Sequence, residues 1–225
     1  MLADQYASRF GVSKYAIIGA VANEYDARYA YSVLDGRGAY LQALTDQLAS
    51  WRNTSSSAIE DYYIKYQFDM NAGVDVNSGS YKLFNPAATD IGPGNIRIST
   101  AIALVQSVYA DEIRTGADSS GLARYNGHYD NLVSDLLNFD NPAASYQFAA
   151  AYLKQGESFF RGKSDAAWQQ LTPAQQEALL VTYYKVGPKL LSVTIDQRLA
   201  EAAQTGATFT FNPNGDGGCP APHKS

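Results

Sequence analysis

The sequence predicts a mainly α fold in a single domain, and three observations support this prediction. Apolar residues recur at helical spacing along most of the 225-residue chain. Stretches rich in serine, glycine and proline separate these apolar segments. Hydrophobic residues make up 46% of the chain and charged residues 17%, which is typical of a folded domain. The chain is long enough to bury one substantial core, and its sequence shows no internal repeat and no second core. We therefore expect one domain over residues 1–209.

The predicted helices follow from this spacing, and the stretches between them predict loops. In chain order the helices are Tyr15–Glu24, Ala39–Trp51, Ala58–Tyr66, Thr100–Arg114, Leu132–Asn138, Pro142–Lys154, Pro173–Tyr184 and Val193–Gln204. Thr172 is expected to cap the helix that begins at Pro173. Met70–Pro86, rich in Gly, Asn, Asp and Ser, predicts a long loop or a short hairpin. Residues 210–225 have little to bury and predict a flexible tail.

Charge and composition exclude several classes of protein. The net charge is −5 and no basic stripe is present, so we expect no nucleic-acid partner. No apolar run approaches the roughly 20 residues of a membrane-spanning helix. Cys219 is the only cysteine, which excludes an internal disulfide. The first residues, MLADQYASRF, lack the basic and apolar regions of a classical signal peptide, so we expect none.

The stretch Ala16–Tyr25, AIIGAVANEY, is an apolar run that ends at an acid, Glu24. A glutamate costs free energy when it is desolvated, unless it is paired or protonated. Glu24 therefore either lies solvated at the rim of the core or keeps its proton near neutral pH. In the second case the apolar residues before it would disfavour the charged form, which suits a general acid.

Four stretches carry a resemblance to a known family. They are FGVSKYAIIGAVANEYDARY (Phe10–Tyr29), TDIGPGNIRISTA (Thr89–Ala101), FDNPAASYQFAAAYLK (Phe139–Lys154) and TYYKVGPK (Thr182–Lys189). In this order they resemble the motifs of the lysozyme-like lytic transglycosylases, a group that includes the soluble lytic transglycosylases and goose-type lysozymes. The resemblance covers about four-fifths of the chain. It implies a lysozyme-like domain in which residues 31–88 form a long helix and loop insertion after the catalytic-glutamate helix.

The alignment with the family motifs places the individual site residues. The family's catalytic glutamate aligns with Glu24, and Tyr25 stands where the family has serine. In the second motif, Gly92-Pro93-Gly94-Asn95 takes the place of G-L-M-Q, so that Asn95 replaces a glutamine. In the fourth motif, A-Y-N-A-G-P, the tyrosine aligns with Tyr184, and Lys185 replaces the asparagine.

The resemblance implies cleavage of the β-1,4 bond between N-acetylmuramic acid and N-acetylglucosamine in peptidoglycan, with Glu24 as general acid. It requires no redox or organic cofactor. The implied substrate-binding residues are Asn95, Tyr184, Gly92, Gly94 and Tyr25. Two structural interpretations stay open: Tyr184 as an ordinary core tyrosine, and the Gly-Pro-Gly stretch as a turn before the helix from Ser99.

A second carboxylate would be needed for hydrolysis with inversion, because a base must position water on the opposite face of the sugar. Asp90, Asp26 and Asp75 are the candidates, each also readable as a solvated loop acid. A lytic transglycosylase dispenses with this base, since the muramyl 6-hydroxyl attacks internally and gives a 1,6-anhydro product. The sequence leaves both product types open.

The loop Phe68–Ser80, FDMNAGVDVNSGS, raises the question of a calcium site. Its oxygen-bearing side chains alternate along the chain, at Asp69, Asn71, Asp75 and Asn77. The loop lacks the bidentate glutamate of an EF-hand, and an Asx-turn loop without metal is the alternative.

Delivery and partners follow from the expected activity. Without a signal peptide, we expect the protein to act in the periplasm or cell wall after delivery by a secretion system or a phage holin. It would then be an antibacterial effector or a phage lysin, and an effector would have a cognate immunity protein that plugs the cleft. The alternatives are a chitinase-like hydrolase on the same scaffold, and a catalytically silent glycan-binding module of a tail or secretion machine.

Overall fold

The computed structural model describes residues 1–22, 53–116, 120–138 and 140–211. Over these residues the chain is mainly helical, which confirms the predicted mainly α class. The chain divides into two compact units, one formed by Met1–Ala20 and Ala149–Ser225 and the other by Val21–Phe148. The single-domain interpretation stays a prediction, and the two units are described in turn.

The first unit begins with two helices joined by a tight turn. Helix α1 spans Leu2–Phe10 and ends at Gly11, whose φ of 63° is left-handed and whose N–H donates to the Ala7 carbonyl. Helix α2 follows over residues 14–22. Ser13 precedes it, and its Oγ accepts a hydrogen bond from the Tyr15 N–H at 3.2 Å. The predicted helix Tyr15–Glu24 is therefore present as far as the description extends.

Two long helices complete this unit, α7 (Ala143–Gln170) and α8 (Pro173–Thr205). Helix α7 contains a break at Ser164, whose Oγ accepts from the Ala167 N–H and restarts the helix. Helix α8 begins with the predicted Thr172 cap, reinforced because Gln175 bonds back to Thr172. The predicted helices Pro173–Tyr184 and Val193–Gln204 are two parts of α8.

A break at Gly187 separates those two parts of α8. Gly187 has φ 74° and ψ 169°, a backbone conformation open almost only to glycine. Pro188 follows and has no N–H to continue the helical bonding. Of the predicted tail the structure describes Thr210, which is exposed, and Phe211, which is buried, and residues 212–225 lie outside the described residues.

The second unit contains shorter helices and the only β pair among the described residues. Its elements in chain order are α3 (Ser56–Asn71), α4 (Gly79–Phe84), a 3-10 turn (Pro86–Ala88), β1 (Asp90–Ile91), β2 (Ile96–Arg97), α5 (Ile98–Thr115), a second 3-10 turn (Ala123–Tyr125) and α6 (Tyr129–Leu136). The first residues of α7 also belong to this unit. Its buried core includes Ile98, Ile102, Val105, Leu132, Val133 and Phe148.

The prediction of a long loop or short hairpin over Met70–Pro86 is wrong in part. Helix α3 runs on to Asn71, and α4 begins after Ser78, whose side chain accepts from the Tyr81 N–H. The hairpin lies later in the chain, where β1 and β2 pair antiparallel with Asp90 opposite Arg97. Local capping by Ser78 therefore turned a Gly- and Ser-rich stretch into a short helix.

Candidate functional site

The predicted catalytic segment lies at the end of α2. Glu24, Tyr25 and Asp26 lie outside the described residues, as does Cys219. The helix that leads to them buries Ala16, Ile17, Ala20 and Val21, none more than 4% exposed, whereas Ala22 is exposed. The apolar run before Glu24 is therefore part of the core, and the chain reaches the surface two residues before the acid.

The second motif forms the β1–β2 hairpin. Its turn is closed by the Asn95 N–H, which donates to the Gly92 carbonyl at 3.0 Å. Asn95 adopts a left-handed φ of 49°, a conformation that asparagine tolerates better than most residues. Gly92, Pro93 and Gly94 are buried, and Asn95 is half-buried. The interpretation of this stretch as a turn before a helix is confirmed, since α5 begins at Ile98.

Gly92 has a structural reason to be glycine. A Cβ at this position would lie 2.0 Å from the Leu136 carbonyl oxygen and 3.3 Å from Ser145 Oγ. Its φ of 73° is also left-handed. The close approach that Gly92 permits is thus to the chain's own backbone at the end of α6, so a contact between Gly92 and a sugar stays a prediction that these neighbours do not support. A contact between Gly94, which is also buried, and a sugar stays a prediction.

A charged cluster lies at the base of the hairpin. Asp90 Oδ2 accepts from Lys82 Nζ and Asp90 Oδ1 from Arg97 Nε, both at 3.3 Å. Arg97 Nη1 donates to Asn77 Oδ1 at 2.8 Å, and the guanidinium is also hydrogen-bonded to Tyr66. Burial opposes the charge of Arg97, but Asp90 and Tyr66 outweigh that penalty and raise the pKa of the guanidinium.

The candidate second carboxylates have other partners in the structure. Both oxygens of Asp90 face a cation, an arrangement that suits an ion pair more than a base holding water. Asp75 is exposed, and its Oδ1 accepts from the Asn77 N–H at 3.1 Å. Asp90 and Asp75 therefore have structural roles, and a catalytic role for Asp90, Asp75 or Asp26 stays a prediction.

The proposed calcium ligands are largely bonded to other side chains. Asp69 Oδ2 accepts from Lys65 Nζ at 2.8 Å and from the Tyr81 hydroxyl at 2.7 Å, and Asn77 Oδ1 is bonded to Arg97. Asn71 is exposed at the end of α3. The bond between Asp75 and the Asn77 N–H is the Asx turn that the metal-free interpretation predicts.

The ionisation of the Asp69–Tyr81 pair reflects these contacts. The hydrogen bonds from Lys65 and Tyr81 lower the pKa of Asp69 below its usual value, against a smaller effect of burial. Burial and the neighbouring carboxylate raise the pKa of Tyr81 to about 12. No group of three or more acidic, histidine or cysteine side chains among the described residues could hold a metal ion. Calcium binding stays a prediction.

The two adjacent tyrosines of the fourth motif, Tyr183 and Tyr184, differ in their burial. Tyr183 is only 2% exposed, and its ring packs against that of Tyr152 with centroids 5.0 Å apart. Burial and the bond to Tyr152 raise the pKa of Tyr183. Tyr184 is half-buried, with its ring edge toward Tyr152 at 5.8 Å. Tyr183 is therefore the core tyrosine of this helix, and Tyr184 keeps part of its side chain accessible.

A pocket in the first unit was not predicted from the sequence. Its volume is about 160 Å³, and its lining includes Ser13, Glu157, Trp168, Gln176 and Glu177. Ser13 Oγ donates to Glu177 Oε1 at 2.5 Å, and Glu157 accepts from Lys154 and Arg161. The ion pairs of Glu157 could have been predicted from the sequence, because Lys154 and Arg161 lie three and four residues from it on a helix. Both carboxylates are thus bonded by the chain's own side chains.

Comparisons with protein-family models, curated proteins and solved structures found no match for the chain. The family resemblance of the four motifs is therefore a hypothesis about function. Among the helices that the structure describes, none is both long enough and apolar enough to cross a membrane.

Proposed function

We propose that this protein is a glycosidase that cleaves the β-1,4 bond between N-acetylmuramic acid and N-acetylglucosamine in peptidoglycan. Glu24 is the general acid that protonates the leaving oxygen. Asn95 binds an N-acetyl group through its amide, and Tyr184 borders the cleft beside the acid. The site of action is the cell wall, where this substrate lies.

The order of the four motifs carries this proposal, and the described parts of the first, second and fourth motifs support it. The described part of the first motif includes α2, whose buried apolar residues end at Val21, three positions before Glu24. The second forms a hairpin turn that includes Asn95. The fourth leaves Tyr184 half-buried three residues before the break at Gly187. The departures at Tyr25, Asn95 and Lys185 affect residues near the expected cleft and leave the acid itself in place.

The chemistry asked of Glu24 requires a carboxyl group that stays protonated near the working pH. An apolar wall supplies this property because desolvation disfavours the charged form. We assign this role to Ile17, Ala20 and Val21, which are buried on α2. Once the proton is delivered, the oxocarbenium-like centre reacts either with the muramyl 6-hydroxyl or with water. The first reaction leaves a 1,6-anhydro end, which is non-reducing, and the second leaves a reducing end.

The test is a digest of purified peptidoglycan followed by mass spectrometry of the soluble products. We expect the unmodified protein to release muropeptides and Glu24→Gln to release them at least roughly 100-fold more slowly, the usual loss for a missing general acid. Glu201→Gln is the matched control, because it neutralises an exposed glutamate on α8 and should leave the rate unchanged. Anhydro ends identify a lytic transglycosylase, and reducing ends identify a muramidase.

Two results would overturn the proposal. The first is equal activity in the unmodified protein and in Glu24→Gln, which would remove the acid from the mechanism. The second is the absence of any product, with calcium present or absent. If the protein then still bound peptidoglycan, the glycan-binding module would be the better interpretation. Cleavage of chitooligosaccharides alone would favour the chitinase-like alternative.

A further inference from the structure

The charges at the base of the hairpin do not cancel. Lys82 and Arg97 both pair with one carboxylate, Asp90. The other hydrogen bonds of Arg97 go to neutral groups, the Asn77 amide and Tyr66. Within the part of the chain that the structure describes, neither cation is bonded to another acid. The Lys82–Asp90–Arg97 cluster therefore carries one net positive charge, in a protein whose net charge is −5.

The two cations of this cluster are partly shielded from solvent but still reach it. The Lys82 side chain is 21% exposed and the Arg97 side chain 24% exposed. A cation in such a position attracts an anion more strongly than a fully solvated one, because water screens the interaction less. Arginine carries five N–H donors, so Arg97 retains donors beyond its bonds to Asp90, Asn77 and Tyr66.

This cluster lies close to Asn95, one residue of the proposed site. Arg97 pairs with Asp90 in the β1–β2 register and follows Asn95 by two residues, at most about 7 Å of extended chain. A glycan held by Asn95 would therefore pass close to Arg97, which shares Asp90 with Lys82. Muramic acid carries a lactyl group whose carboxylate is either free or linked to an acidic peptide, whereas chitin-type glycans carry no charge.

We propose that Lys82 and Arg97 form an anion subsite for the carboxylates carried by muramic acid, either the lactyl group itself or its attached peptide. The subsite makes the protein favour peptidoglycan over neutral N-acetylglucosamine polymers. This inference rests on the proposed function, since it concerns the substrate of that same site.

A purely structural role for the cluster makes a different prediction. Arg97 connects the hairpin to Tyr66 on α3 and to Asn77 before α4, so it also holds these elements together. If bracing were its only role, removal of a cation would weaken action on charged and neutral glycans to the same extent. Discrimination between the two kinds of glycan is therefore the decisive readout.

The experiment measures binding by calorimetry in the Glu24→Gln background, so that no ligand is cut. Three ligands are compared: a peptide-bearing N-acetylglucosamine–N-acetylmuramic acid tetrasaccharide, the same glycan without peptides, and chitotetraose. Lys82→Gln should lower the affinity for peptide-bearing glycan about tenfold, as expected for one charge-assisted bond. Its affinity for chitotetraose should stay within about twofold, and 0.5 M salt should reduce the difference.

The remaining variants assign the carboxylate and control for charge. A loss confined to the peptide-bearing ligand assigns the subsite to peptide carboxylates. A loss confined to the peptide-free glycan assigns it to the lactyl carboxylate, which is an amide in the other ligand, and a loss on both shows that the subsite accepts either carboxylate. Arg97→Lys keeps the charge but not the fork, and we expect it to bind charged ligands more weakly than the unmodified residue. Arg114→Gln removes an equal charge from an exposed pair on α5 and should change nothing.

Two kinds of result separate this inference from the proposed function. An equal loss on all three ligands, or no loss on any, overturns the subsite while cleavage of peptidoglycan by the unmodified protein still stands. If the unmodified protein neither cuts nor binds any of the glycans, the proposed function and the subsite both fall. Thermal unfolding of each variant shows whether a loss of binding reflects a loss of folding.

Discussion

Gly92 and Gly187 occupy the second and fourth motifs, have nearly the same φ, and differ in what surrounds them. At Gly92 a Cβ would lie 2.0 Å from a backbone oxygen of α6. At Gly187 the nearest atom to a Cβ would be the Tyr152 hydroxyl, at 3.9 Å. Gly92 is therefore fixed both by its backbone conformation and by packing, and Gly187 by its backbone alone. A glycine in a motif therefore has a different physical cause at each of these two positions.

Gly92→Ala should give the largest effect, because the Leu136 carbonyl oxygen is backbone and cannot move aside without shifting α6. We expect a loss of about 4 kcal/mol or more in unfolding free energy, measured by urea denaturation. Gly116→Ala is the control, since Gly116 has φ 74° with no atom within 4 Å of a Cβ. It should lose only about 1 to 2 kcal/mol, the cost of the left-handed backbone. Equal losses in the two variants would disprove the packing explanation.

Gly187→Ala should have an intermediate effect, about 2 kcal/mol, because the strain is confined to the backbone. The control is Gly206→Ala, at the end of the same helix, with φ 68° and ψ 12°. Its backbone lies in the left-handed helical region, which is less costly for alanine than the conformation of Gly187. A smaller loss at Gly187 than at Gly206 would show that the break in α8 is not held in the described conformation.

Gly156→Ala examines a third arrangement, in which the obstacle is a side chain. A Cβ here would lie 2.8 Å from Tyr183 Cδ1, and Tyr183 is buried. Overpacking of about 2 kcal/mol should be offset in part by the better helix propensity of alanine, about 1 kcal/mol, for a net loss of about 1 kcal/mol. Gly162→Ala, on the same helix with nothing within 4 Å, should instead stabilise the protein. Stabilisation by both substitutions would mean that the Tyr183 ring yields freely.

The smallest expected effect is the pH dependence of stability, which should differ between a substitution at Asp69 and one at Gly187. Lys65 and Tyr81 lower the pKa of Asp69 in the folded state, so this contact stabilises the protein above the unfolded value of 3.8. That stabilisation is lost as the pH falls through the lower folded-state pKa. Asp69→Asn should therefore be less stable than the unmodified protein at pH 7 but not at pH 2, by urea denaturation. Gly187→Ala should show the same deficit at both pH values, since its cost is backbone strain and involves no carboxylate.

Local signals were predicted well from the sequence, and contacts between distant segments were not. The cap at Thr172 and the end of α5 near Gly116 depend on residues within a few positions of each other. The hairpin depends on Gly92 packing against Leu136, 44 residues away, and no pattern around Gly92 indicates that contact.

For the candidate site, the alignment selected Tyr184, which is half-buried beside the buried Tyr183, and its role in substrate binding stays a prediction. Helical periodicity could not separate Tyr183 from Tyr184 with the same certainty, because α8 is buried on a broad face. The pairing of Asp90 with Lys82 and Arg97 was also not predicted, since Lys82 reaches the hairpin from α4. Catalysis by Glu24 stays a prediction.

The break at Gly187 has a consequence for how α8 opens to solvent. Pro188 has no amide proton, so the ladder of backbone hydrogen bonds is interrupted there. The part before the break is anchored by Leu179, Leu180 and Tyr183, whereas most residues after it are exposed. In amide hydrogen exchange the two parts should therefore behave as separate cooperative units, with slow exchange before the glycine and faster exchange after it. By amide hydrogen exchange, α8 should therefore behave as two helices that follow each other along the chain.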